Sequence, residues 1–397
     1  MSNAKHDDDA AVKHGGDDTS VSSTKQPALS LMTRFAALQK NRTLIHPKLP
    51  QKDGSNGHHQ DRDHADTLPA PDNNSTDPSS ANSSSSFSFV VTADTQFGML
   101  KNNVDWEDEM KWSRRAVQQI NALHPRPLFC IVCGDLVHMT AEIEMGKTFT
   151  NRSTGQETVL TREACDEIQD AQNRDFQQIW SDIHPDIPLV CLCGNHDVGQ
   201  RPTPLSIARF RRAYGDDYLA FWVRQTYNIV VNTALFSDPS GAPDMYQEQF
   251  EWLRGRLQYA KRQQASHIFV FGHHPWFLYN ENEDEKDLTE GCPLQEFGIE
   301  GSISDGYFVI PLVRRRQVME LFREFGVTAA FAGHFHQNMV SQSSFGMPMI
   351  TTSALSVLLR STGIPKDFNE PKTRGMRLVY VNQEDGTFQH KFVSLED

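Results

Sequence analysis

A chain of 397 residues, 38% of them hydrophobic, can bury a large core as one large domain or two ordinary ones. Its formal net charge of −13 argues against a nucleic-acid partner, and no apolar run approaches the length of a membrane span. Six cysteines are too few for a disulfide framework, and four of them (Cys130, Cys133, Cys191 and Cys193) lie in apolar, strand-like runs where a buried free thiol is usual; this points to a reducing, cytoplasmic compartment.

Residues 1–86 carry little core material. Met1 to Asp18 is polar and acidic and lacks the basic-then-apolar layout of a secretory signal. Ser79 to Ser86 is nearly all serine. Such composition cannot bury enough apolar surface to offset chain entropy, so a disordered, low-complexity tail is expected. Leu29 to Ile45 is its one moderately apolar patch, and His58, His59 and His64 read as solvated.

The folded domain is expected over residues 87–397. Phe87 to Val91 reads as a strand entering a core and ends at Ala93-Asp94-Thr95-Gln96. Asp94 and Gln96 are two apart and share one side of extended backbone. Asp105 to Leu123 has helical spacing and stops at His124-Pro125. Leu128 to Cys133 is a second strand, leading into Gly134-Asp135-Leu136-Val137-His138. Cys130 and Cys133, three apart on a strand, should face opposite sides and pack in cores instead of forming a metal or redox pair. Met139 to Gln172 reads as a polar insertion running into a helix, Ala164 to Ile183. The apolar run Pro188 to Cys193 is cut off by Gly194, and Asn195-His196-Asp197 follows at its carboxyl edge, where α/β sheets place ligands.

Leu205 to Tyr214 is a predicted helix, Tyr218 to Trp222 and Tyr227 to Asn232 a strand pair, and Gln247 to Gln263 an amphipathic helix. His267 to Phe271 is a strand ending at Gly272-His273-His274-Pro275, and Tyr279 to Asp305 is a long acidic surface loop. Ile310 to Phe325 is helical, with Arg314, Arg315 and Arg316 read as a solvated face. Val327 to Ala332 is a further strand, ending at Gly333-His334-Phe335-His336. Met347 to Ser356 and Met376 to Val393 should close a sheet. Apolar strands alternating with amphipathic helices predict an α/β fold with four layers, α/β/β/α, in which helices flank two packed mixed sheets.

Five strands thus end in a short motif of carboxylate, amide or imidazole groups. Singly each is weak; together, at strand ends that converge on one edge, they read as one site. That donor mixture suits manganese, iron or zinc and not a thiolate site.

These motifs resemble the calcineurin-like metallophosphoesterase superfamily from about Phe87 to the C-terminus, and within it a branch of the serine/threonine-protein phosphatase type. Gln96 stands where most of the superfamily has histidine. The resemblance implies the metallophosphoesterase fold and two divalent ions. One would be held by Asp94, Gln96, Asp135 and His336, the other by Asp135, Asn195, His273 and His334, with Asp135 bridging. A bridging hydroxide would attack phosphorus directly, without a covalent enzyme intermediate. His196 would contact phosphate or protonate the leaving oxygen, with Asp197 fixing its tautomer, and His274 would lie outside the ligand set. The second motif continues Leu136-Val137-His138-Met139, so the Asp-Arg-Gly of calcineurin-type protein phosphatases is absent there; His138 also occupies the place of the tyrosine in purple acid phosphatases.

The resemblance implies a phosphomonoesterase acting on phosphoserine or phosphothreonine of a phosphoprotein. The Gly-His-His-Pro type of fourth motif keeps a phosphodiesterase of cyclic nucleotides or other small diesters open as the alternative, and a non-catalytic scaffold is a third, opposed by the full ligand set and His196. Tyr279 to Asp305, tethered after the fourth motif, is expected either to favour basic-flanked phosphosites or to point away from the site as a solvated loop.

Overall fold

The computed structural model describes residues 44–45, 86–150, 155, 157–295, 300–365 and 370–396. The expected tail, with His58, His59 and His64, lies outside them except for Ser86 and the pair Leu44–Ile45.

One sheet has five strands in the order β16 (Thr387–Ser394), β15 (Gly375–Asn382), β2 (Ser86–Thr92), β3 (Cys130–Cys133), β6 (Leu189–Leu192). β2, β3 and β6 run parallel, and β15 and β16 add antiparallel. The other has seven strands in the order β1 (Leu44–Ile45), β7 (Leu219–Val223), β8 (Thr226–Val230), β9 (His267–Phe271), β12 (Ala329–Ala332), β14 (Pro348–Thr351), β13 (Met339–Gln342). Its β8, β9, β12 and β14 are parallel. β1 pairs Leu44 with Phe221 and Ile45 with Ala220, so this piece of the tail extends the sheet edge.

Strand alternation assembles the layers. On β2, Phe87, Phe89 and Val91 face the second sheet and meet Phe269, Phe271 and Phe331 there. Val90 and, on β3, Cys130 and Val132 face outward against α1 (Glu107–Ala122) and α3 (Arg162–Trp180). On the far side, Ile229, Ile268, Val270 and Ala330 meet α7 (Pro243–Arg262) and α8 (Leu312–Phe325). The result is the expected four-layer α/β/β/α sandwich. Cys130 and Cys133 lie on opposite faces of β3, and all six cysteines are free.

Local chemistry sets the helix ends. Thr161 Oγ1 accepts from Ala164 N at 3.2 Å to start α3, and α5 (Pro204–Tyr214) opens with a Thr203–Ser206 capping box and proline at its first position. Gly326, at φ +71°, closes α8. Short helices α2 (Ala141–Glu144), α4 (Asn195–Val198) and α6 (Thr233–Ser237) lie in connections.

Both expected loop regions carry ordered hairpins. The first insertion holds β4 (Thr148–Thr150) and β5 (Glu157–Val159), and the acidic region holds β10 (Gly291–Pro293) and β11 (Ser302–Ser304). The arginine run is not a solvated face throughout. Arg315 is fully buried and donates to the carbonyls of Trp276 (2.9 Å), Ile310 (3.1 Å), Glu281 (3.1 Å) and Glu283, tying the acidic region to α8.

Candidate dinuclear metal centre

The parallel strands β2, β3, β6, β9 and β12 point their carboxyl ends at one edge, and the motif residues leave the strands there. Asp94, Gln96, Asp135, His334 and His336 have φ of +53°, +40°, +48°, +65° and +57°. These left-handed turns are unusual for such residues and swing the side chains into a common space between the sheets. Backbone bonds lock the turns across strands: Gln96 N donates to Asp135 O at 2.8 Å, and Gly333 N to His273 O at 3.0 Å. Two glycines are required by crowding. A Cβ at Gly194 would come 2.1 Å from Asp135 Oδ1, and one at Gly333 would come 2.4 Å from Asp94 Oδ2.

Two overlapping groups result, Asp135–His273–His334 and Asp94–Asp135–His336, all buried, with the donor atoms of each group within 4.8 Å of one another. Asp135 belongs to both. His273 Nε2 lies 3.3 Å from Asp135 Oδ2, 3.0 Å from Asn195 Oδ1 and 3.1 Å from His334 Nδ1. His336 Nε2 lies 3.4 Å from Asp94 Oδ1. His273 Nδ1 donates to Cys133 O at 2.8 Å and His336 Nδ1 to Val357 O at 2.6 Å. Because a carbonyl only accepts, each neutral ring keeps its Nε2 lone pair for the site.

The electrostatics favour added positive charge. Burial disfavours the His273 cation, yet the Asp135 and Asp94 carboxylates outweigh burial and raise it to about 9; His336 is raised in the same way, chiefly by Asp94. Burial would raise Asp135, but the imidazoles of His273 and His196 hold it below the usual carboxylate range. Gln96 Oε1 is buried with no hydrogen-bond partner. The Gln96 Nε2 N–H donates to His138 Nδ1 at 3.4 Å, which leaves that oxygen free for a cation. Oxygen and imidazole donors, a shared carboxylate and an unpartnered buried amide oxygen fit a pair of divalent cations.

Around the centre the expectations divide. Asp135 Oδ1 accepts from His196 N at 2.8 Å, and His196 sits half-buried at the rim. Asp197 does not hold the His196 ring. Its carboxylate accepts from Gly194 N (2.7 Å), Leu136 N (3.0 Å) and Val137 N (3.3 Å), so it ties the second motif to the third. The tautomer is set instead by the carbonyl of His138, which accepts from His196 Nδ1 at 3.0 Å. The His138 ring also stacks on His196 with centroids 4.6 Å apart. His274 Nδ1 meets Thr233 Oγ1 at 3.0 Å, and its ring packs 4.3 Å from the His334 ring, beside the two donor groups and in neither of them.

Sequence reasoning missed two residues. His138 was legible only as a substitution at a family position. Tyr307, which reaches Asn195 and Gln200, carries no local signal. It stands at the end of the acidic region, whose carboxylates mostly hold that region together. Glu283 accepts from the amides of Leu278 (2.7 Å), Tyr279 (2.9 Å) and Asn280 (2.9 Å), Glu285 caps α8 at Leu312 N (2.9 Å), and Asp305 accepts from Tyr279 Oη (2.6 Å) and Ser361 Oγ (2.7 Å). A cleft of about 820 Å³ opens beside His196 and Tyr307. Ile143, Phe149, Leu294 and Ile303 are among its lining residues; among the described residues the acidic region contributes no carboxylate to it.

The family profile described as calcineurin-like phosphoesterase matches residues 87–338. A serine/threonine-protein phosphatase CPPED1 from Bos taurus is 32% identical over 320 residues, 78% of this chain and 84% of that protein. The proteins of the same name from Danio rerio and Homo sapiens are 30% and 29% identical over the same 78% of the chain, covering 85% and 84% of their own lengths. Among solved structures, a dimetal phosphatase from Danio rerio aligns with TM-score 0.46 at 14% identity over 78% of this chain and 97% of that one. Purple acid phosphatase PPD1 from yellow lupin aligns with TM-score 0.49 at 12% identity over 79% and 54%. On the profile match and the CPPED1 identities, this chain belongs to the calcineurin-like phosphoesterase family of metal-dependent hydrolases.

Proposed function

We propose that this protein is a phosphomonoesterase that removes phosphate from phosphoserine or phosphothreonine in proteins. The observation that carries this reading is the open cleft of about 820 Å³, lined by His196 and Tyr307 beside the buried donor cluster, a volume that exceeds what a phosphoryl group alone would need. The names of the CPPED1 relatives support the same substrate class.

Asp94, Gln96, Asp135 and His336 would hold one cation, and Asp135, Asn195, His273 and His334 the other. When bound, the pair supplies charge neutralisation and a water acidic enough to serve as nucleophile near neutral pH. The identity of the ions is proposed as manganese, iron or zinc from the donor set. The chain's own contribution follows from its hydrogen bonds. Asp135 fixes the His196 backbone, and the His138 carbonyl occupies His196 Nδ1, so Nε2 is the one ring atom left to face substrate. In the imidazolium form, with Nδ1–H held by that carbonyl, Nε2–H would donate its proton to the leaving oxygen. The buried free thiols support a reducing, cytoplasmic setting. Residues 87–397 form the catalytic unit, with the tail dispensable for turnover.

The test is hydrolysis of p-nitrophenyl phosphate, bis-p-nitrophenyl phosphate and a phosphoserine peptide with manganese, iron and zinc each supplied. Turnover of the monoester and the peptide, with the diester at least tenfold slower, is the expected pattern. Preference for the diester would replace this reading with the phosphodiesterase, and no turnover of any substrate by fully metallated protein would favour the scaffold.

A further inference from the structure

Tyr307 lies on a 3₁₀ turn, Asp305–Phe308, pinned on both sides. Asp305 is held by Tyr279 and Ser361, and Phe308 is buried with its ring 5.3 Å from His334. The Tyr307 ring is 5.1 Å from the His334 ring, and its side chain lines the cleft together with His196. The turn is therefore a fixed platform over the donor cluster.

A phenol oxygen can accept two hydrogen bonds and donate one. Both acceptor positions of Tyr307 are taken by side-chain amides. Asn195 turns its Oδ1 to His273 Nε2 at 3.0 Å, so its Nδ2 faces outward and donates to Tyr307 Oη at 3.5 Å. Gln200 Nε2 donates to the same oxygen. Neither N–H can accept, which leaves the phenol O–H without an acceptor among these partners and with the cleft in front of it.

We propose that the Tyr307 O–H donates to a non-bridging oxygen of the substrate's phosphoryl group. The inference rests on the phosphoesterase reading above. The hydrogen bond strengthens as the phosphoryl oxygens gain charge toward the transition state, and no bond to Tyr307 is made or broken. Asn195 and Gln200 are the residues that aim it.

The experiment compares wild type with Tyr307→Phe, which keeps the ring and removes only the O–H. Wild-type turnover of p-nitrophenyl phosphate first establishes the parent reading. The variant should then bind the full metal complement, lose about 10- to 100-fold in kcat/KM, the worth of one hydrogen bond to a charged group, and show inhibition by inorganic phosphate and by vanadate weakened in the same direction. The loss should be the same for p-nitrophenyl phosphate and for phosphoserine, because a non-bridging oxygen is common to both. Unchanged kcat/KM and phosphate inhibition in a metal-replete variant would overturn the proposal. So would a loss confined to phosphoserine, which would make Tyr307 the leaving-group donor. A loss of metal would reduce its role to supporting Asn195.

Discussion

His138→Phe separates metal holding from proton transfer. The substitution keeps a flat ring to stack on His196 and keeps the backbone carbonyl that accepts from His196 Nδ1. It deletes both ring nitrogens, of which Nδ1 is the partner of Gln96 Nε2 at 3.4 Å. Gln96 is 1% exposed, so its amide N–H would be stranded, a cost of about 1–3 kcal/mol unless the side chain turns. A turn would point N–H, and not Oε1, at the cation. Either response weakens metal binding through an outer partner, by about 10- to 100-fold. That corresponds to about 1.4–2.7 kcal/mol. Calorimetric titration of the metal-free protein with Mn²⁺ reads the affinity directly, and p-nitrophenyl phosphate turnover at saturating metal reads kcat. The expected result is a weaker site for one of two ions, with kcat within a few-fold of wild type once metal is in excess. Unchanged affinity would refute the role of His138 toward Gln96, and a kcat deficit that excess metal does not restore would show that its ring acts on His196.

Asp135→Asn should leave the protein folded but with less than half the metal and no turnover, because both donor groups share that carboxylate; His196→Ala should keep both ions and lose about 10²- to 10⁴-fold in kcat. Elemental analysis alongside kinetics distinguishes them, and an empty His196→Ala with a full Asp135→Asn would exchange their roles. Phe89→Ala removes a ring that lies 4.6 Å from Phe129, 5.5 Å from Phe269 and 5.8 Å from Phe331 between the sheets, and should cost about 3–5 kcal/mol. For a domain of this size that is a fall in Tm of about 5–8 °C by calorimetry, and a change below 2 °C would show that the two sheets are not held here. Burial lowers the His267 and His390 imidazoles, and Arg377 lowers His390 further. The folded state then binds fewer protons than the unfolded chain just below the ordinary histidine value of about 6.5, so stability is full above it and declines as pH falls through it. Tm should drop between about pH 7.5 and 5.5, less so in His267→Gln/His390→Gln, and an equal drop in the variant would assign the decline to other groups.

The strand-end motifs were readable because each follows a run of buried residues, and a run that stops at glycine followed by a polar group marks a sheet edge. Helices were equally plain where spacing and caps agreed: Leu205 to Tyr214 was expected and Pro204–Tyr214 is observed. What escaped depends on where distant segments return. Asp197 follows His196 directly, yet the turn into α4 points its carboxylate back at Leu136, 61 residues away. Arg315 looked solvated among its neighbours because nothing local announces that four carbonyls would gather around it. Tyr307 is separated from Asn195 by 112 residues, and only the path of the acidic region brings them together. That region's charge suggested a field acting on substrate; its carboxylates are largely occupied by backbone amides and hydroxyls within the fold.

The five left-handed residues at the centre, Asp94, Gln96, Asp135, His334 and His336, set durability against chemistry. At on the order of 1 kcal/mol each, they hold roughly 5 kcal/mol, a large part of what keeps an ordinary domain folded. Glycine would relax every one of these turns. A mutational survey ranked by thermal endurance would therefore favour glycine where a survey ranked by turnover would reject it. In a lineage released from catalysis, drift has an easy direction at these positions. A descendant that kept the sandwich and gave up the reaction would be recognisable by glycines at some of these five positions.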